Sequence, residues 1–123
     1  MTLSHVRNSF VDTVVAEKTG AAFSILAADI YGGLVSNDGQ TIATAATLDT
    51  GANMDAAAFF GYVGTFPAYA WSLINENTSS GDVTVTESSG HTVTGSAVVA
   101  VGTSGRFHTA RTTTETWITF RVA

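Results

Sequence analysis

The residues of this chain best placed to do chemistry are Leu48-Asp49-Thr50-Gly51-Ala52. An aspartate held on a Thr-Gly turn can, when two copies meet, share one proton with a second carboxylate and activate a water. The plainer role for Asp49 or Thr50 is a helix N-cap, its side-chain oxygen accepting from free backbone N–H groups. His5, His91 and His108 share no short ligand spacing, and zinc would need three or four ligands converging from separate strands. They read as single histidines facing solvent or hydrogen-bonded, although a trimer axis could gather three copies of one of them. Asp38-Gly39 and Asp82 lack the dense oxygen pattern of a calcium loop. Ser104 has no G-x-S-x-G context, and no Lys-Ser/Thr follows Gly102-Thr-Ser-Gly105. Tyr31, Tyr62, Tyr69, Trp71 and Trp117 could stack on sugar rings, but Trp71 and Trp117 sit at strand positions, where tryptophan packs a core or a subunit contact. No catalytic, cofactor-binding or metal-binding residue is assigned, and the chain is not expected to be an enzyme.

These residues are carried by short alternating stretches: Tyr69–Asn75, Asp82–Thr86, His91–Thr94, Ala97–Val101, Arg106–Arg111 and Trp117–Val122. Apolar side chains on every second position mark half-buried strands, and the intervening Gly and Ser clusters mark hairpin turns. Upstream, Ala22–Leu26, Gly32–Ser36 and Gln40–Ala43 read as further strands, with a bend or one helical turn over Ala27–Tyr31 and a turn at Asn37-Asp-Gly39. Thr47–Phe60, rich in alanine, is the one expected helix. The expected fold is mostly β: an antiparallel β-sandwich or small, jelly-roll-like β-barrel with one short helix. One domain spans 1–123. Residues 1–20 form an N-terminal arm or edge element and 21–123 the sandwich or barrel. In the arm, Leu3, Val6, Phe10 and Val14 recur near helical spacing and are the expected protein-interface residues.

Composition narrows the partners. Only 12% of the 123 residues are charged, against about 25% in an ordinary soluble domain, while 45% are hydrophobic. Thr, Ser, Gly and Ala replace the missing charges, which suits a surface hidden against copies or neighbours, and also suits strands and turns. No Lys or Arg lies between Lys18 and Arg106, where seven carboxylates fall, while Arg106, Arg111 and Arg121 cluster near the C-terminus. That asymmetry could orient identical subunits, or the arginines could simply be solvated. A net charge of −5 argues against nucleic-acid partners. There is no Cys, no apolar run of the roughly 20 residues that span a bilayer, and no signal-peptide layout.

Two resemblances add to this. The Asp49-Thr50-Gly51 motif is similar to the active-site signature of retroviral-type aspartic proteases, but the alanine-rich run after it departs from that family, as does the strand-like Gly105-Arg106-Phe107. His5–Phe10 with Val14–Gly20, Trp71–Asn77, Val83–Thr86, Gly90–Gly95, Gly102–Phe107 and Trp117–Arg121 resemble small virion structural proteins of tailed bacteriophages, of the capsid decoration or cement type. That resemblance implies a head decoration protein that binds the major capsid protein and stabilises the capsid. It implies a homo-oligomer, a trimer, assembled in the host cytoplasm and located on the virion's capsid surface, without nucleic-acid or membrane partners. The alternative it allows is a head- or tail-fibre base or receptor-binding module.

Overall fold

A computed structural model describes residues 15–58 and 68–123. The expected interface residues Leu3, Val6, Phe10 and Val14 lie outside the described residues, as do His5, Phe59, Phe60 and Tyr62.

Among the described residues the chain forms two sheets and two short helices. Sheet A contains β1 (Ala16–Lys18), β3 (Leu34–Asn37), β5 (Ala68–Ile74), β9 (Ser104–Thr113), β10 (Thr116–Arg121) and β7 (His91–Thr94), in the order β1-β3-β5-β9-β10-β7. Sheet B contains β2 (Ala22–Ile25), β4 (Thr44–Leu48), β6 (Val83–Thr86) and β8 (Val98–Val99), in that order. Ile25, Ala46, Leu48, Val83, Val85 and Val99 of sheet B meet Val35, Trp71, Leu73, Phe107 and Trp117 of sheet A in one buried core. The molecule is mostly β and sandwich-like, as its alternation implies.

The connections differ from the expected hairpins. From β1 to β9 the chain crosses between the sheets at every step, and only β9 and β10 follow one another within a sheet. Five ladders are therefore parallel (β1–β3, β3–β5, β2–β4, β4–β6 and β7–β10) and three antiparallel (β5–β9, β9–β10 and β6–β8). Parallel neighbours need a long crossover. Here the crossover of each pair in one sheet contains a strand of the other, so β1 to β6 wind as a flattened coil.

Both helices sit in these crossovers. The first, α1 (Ala27–Gly32), is fuller than a bend and closes at Gly33, whose φ of 92° only glycine takes readily. The second, α2 (Gly51–Ala57), is shorter than the expected Thr47–Phe60. Its first two expected residues belong instead to β4, where Thr44, Ala46 and Leu48 alternate inward between β2 and β6. Gln40–Ala43, expected as a strand, precedes β4 as irregular chain. Of residues 1–20, Ala16–Lys18 is the edge strand of sheet A.

Candidate functional site

The strands alternate, apart from β3 where Val35, Ser36 and Asn37 are all buried, so each sheet has an inner face and an outer face. With Val35, Trp71, Leu73, Phe107, Thr109, Trp117 and Thr119 buried inward, the opposite positions of sheet A point away from sheet B. These include Leu34, Ile74, Ala110, Ile118 and Phe120, all half-buried, and just past β10 Val122, which is 45% exposed. Register aligns Ala68, Ala110, Ile118 and Thr92 in one row, and Ala70, His108, Phe120 and Thr94 in the next. His108 meets the Phe120 ring edge-on at 5.8 Å. Charge lies towards one end of the strands: Arg106 is exposed on β9, and Glu17 stands opposite Ser36, whose hydroxyl donates to Glu76. The outer face of sheet A thus carries an apolar patch bordered by Ser72, Thr92, Thr94 and Ser104, and by Arg106 and Glu17. The signal was present in Trp117-Ile118-Thr119-Phe120 and Leu73-Ile74, where apolar residues occupy both parities of a strand.

The outer face of sheet B differs. Ala22, Ala45, Thr84 and Val98 form one row, and Ser24, Thr47 and Thr86 another. It carries no charge, and Thr86 donates to Thr47 across it at 2.9 Å.

Residues singled out for chemistry are occupied with holding the fold. Both Asp49 oxygens accept from the chain: Oδ2 from the Ala27 N–H at the start of α1 (2.9 Å), Oδ1 from the Thr50 N–H (2.9 Å) and Asn53 Nδ2 (2.7 Å). Thr50 is the α2 cap, its Oγ1 accepting from the Asn53 N–H. Gly51 is buried against the carbonyls of Glu115 and Gly90. Trp71 and Trp117 are core residues and present no open ring. Tyr31 and Tyr69 pack at 4.4 Å, and the Tyr31 hydroxyl donates to the Met54 carbonyl at 2.7 Å. Burial, then the charges of Tyr69, Asp55 and Asp49, raise the Tyr31 hydroxyl above its usual range.

Of the described histidines, His91 points inward and His108 outward on the same sheet, so these two do not converge. No group of three or more His, Cys, Asp or Glu suited to a metal occurs among the described residues. His91 ends a buried chain whose direction is forced. The Asp49 carbonyl only accepts, so His91 Nδ1–H donates to it (2.8 Å) and Nε2 must accept from the Thr119 hydroxyl (2.7 Å). Thr119 in turn accepts from Thr109 (2.6 Å), which accepts from the Trp71 indole N–H (2.8 Å). Burial lowers the His91 pKa, against the opposing pull of the Asp49 carbonyl and charge.

Asp55 ties α2 to β9 and β10. Its Oδ1 accepts from Arg111 Nε (2.9 Å) and the Trp117 indole (2.7 Å), its Oδ2 from Arg111 (3.0 Å) and the Glu115 N–H (2.8 Å). The Arg111 hydrogen bonds hold the carboxyl below its usual range, and Asp55 raises Arg111 in return. Elsewhere Asn37, Asn75 and Asn77 satisfy one another and the carbonyls of Gly81 and Val99 where β3 and β5 run out. Among the described residues no buried side-chain nitrogen or oxygen lacks a partner. No known protein family, curated protein or solved structure matches the chain.

Proposed function

We propose that this chain is a non-enzymatic virion structural protein, a head decoration or cement protein that binds and stabilises a tailed-phage capsid. The observation that carries this reading is the two-faced sheet A: one apolar face is spent on the core, and the other carries a half-buried apolar patch, Ala110, Ile118 and Phe120, that a neighbouring copy or the shell would finish covering. A sparsely charged chain, at 12%, supports it, because burying few charges keeps the desolvation cost of a broad contact low. So does the commitment of Asp49, Asp55 and His91 to internal hydrogen bonds, which leaves those groups to architecture. Such a protein works by area. Copies seated on the major capsid protein bridge adjacent capsomers, and contacts of about 1,600 Å² repeated over a shell add up through multivalency. The fibre-base alternative gains nothing from the tryptophans, which lie in the core.

The test is cosedimentation of the purified protein with emptied phage shells lacking it. Saturable binding in a fixed ratio to the major capsid protein, with a raised shell-disruption temperature, is the expected result. Absence of binding, or peptide cleavage abolished by Asp49→Asn, ends the proposal.

A further inference from the structure

We infer that the outer face of sheet A, centred on Ala110, Ile118 and Phe120, is the surface on which a second copy of this chain packs. The inference rests on the structural-protein reading and adds which face meets which partner. Size is the first reason. The six strands run from 3 to 10 residues and are staggered, and at about 4.8 Å by 3.4 Å per residue they give the sheet a face of roughly 550 Å². Two copies face to face therefore cover about 1,000 Å², the level a specific interface must reach. The four-stranded sheet B offers less than half of that, within the range of incidental contacts below about 800 Å².

Shape and charge point to the same occupant. Two copies of one twisted sheet share the same hand and curvature, and such sheets stack aligned at about 30° with interdigitating side chains. Arg106, Glu17 and Glu76, all towards one end of the strands, give the face charges of both signs. Its apolar centre carries none, so two copies of a chain with net charge −5 meet there without carboxylate facing carboxylate.

Light scattering over a concentration series tests this on the full chain. The expected mass is a multiple of 12.7 kDa, falling to a single subunit in the double variant Ile118→Glu, Phe120→Glu with the far-UV circular dichroism preserved. Because the chain has no cysteine, a milder reading is available should the double variant not fold. The Ala110→Cys thiol should react with a bulky maleimide at least about tenfold more slowly in concentrated than in dilute protein, whereas the Ser24→Cys thiol on sheet B reacts alike in both. A wild-type single subunit at all concentrations overturns the inference. So does an oligomer that survives in a folded Ile118→Glu, Phe120→Glu variant, or protection at Ala110→Cys that ignores concentration, which means the chain covers its own face. Protection at Ser24→Cys instead moves the interface to sheet B and equally overturns it. An oligomer that ignores shells removes the decoration reading and leaves this inference standing, while a single subunit that binds shells does the reverse.

Discussion

Asp55 shows most sharply what a single side chain does here. Its carboxylate accepts from Arg111, the Glu115 N–H and the Trp117 indole, joining α2 to the β9–β10 hairpin. Trp117 is fully buried, so removing the acceptor leaves its indole N–H dependent on whatever water enters the gap left by the half-buried carboxylate. Asp55→Ala is expected to cost about 3 kcal/mol, read as a lower urea midpoint at unchanged m-value. Asp55→Asn should recover little, because an amide NH2 turned towards Arg111 or Trp117 sets donor against donor. A loss below about 0.5 kcal/mol in Asp55→Ala, the size of an ordinary surface substitution, contradicts this account. In sequence, Asp55 looked like one more residue of an alanine-rich helix. Its partners lie 56 to 62 positions away, and no local spacing announces them.

Among the elements, α2 is set by how closely its first turn presses on the rest. A Cβ on Gly51 would lie 2.0 Å from the Glu115 carbonyl oxygen and 2.5 Å from that of Gly90. Both obstacles are backbone, so the helix itself must move. Gly51→Ala should therefore destabilise by about 2–3 kcal/mol or prevent folding, although alanine is the better helix former. Gly32, at the end of α1, is the control, since a Cβ there meets nothing within 4 Å. Gly32→Ala should be neutral or raise the melting temperature slightly. Equal effects at the two positions would show that packing at Gly51 is not what limits α2. The Thr50 cap was legible in sequence because capping is local chemistry. The second duty of Asp49, accepting from the α1 N–H of Ala27, was hidden because it joins residues 22 positions apart. Likewise β4 takes Thr47 and Leu48 from the expected helix, since flanking strands satisfy their backbone groups better than a longer α2 could.

Across the whole molecule, alternation told which side chains are inward, and nearly every strand from β5 onwards fell where the pattern placed it. It could not tell strand direction or neighbours, because period two is the same in parallel and antiparallel ladders; the coil of β1 to β6 is invisible until crossovers are traced. The outward apolar residues of sheet A were legible in Trp117–Phe120, where both parities of the strand are apolar. One property of the whole fold follows from two hydrogen-bonded groups together, buried His91 and half-buried Asp55: its stability against pH. His91 is held neutral, with its pKa below the ordinary 6.5, so between that lowered value and 6.5 the unfolded chain binds more protons. Stability from this group is full above about pH 6.5 and is lost as pH falls through the His91 pKa, with a slope up to about 1.4 kcal/mol per pH unit for one proton. A second proton on His91 makes Nε2 a donor, Thr119 must turn its hydroxyl on Thr109, and Thr109, now accepting from both Thr119 and the Trp71 N–H, has its own hydroxyl proton left without an acceptor in the chain. Asp55 has the opposite charge but the same sign of effect. Its carboxyl lies below 3.8, so its contribution is present above that value and fades as pH drops further. Urea titrations from pH 8 to 3 should thus show two separate declines, one beginning near pH 6.5 and one near pH 4. His91→Gln should start from a lower stability and lack the upper decline, while keeping the lower one. A wild-type profile flat between pH 7 and 5 would mean that water reaches His91 and the one-way chain does not hold in solution.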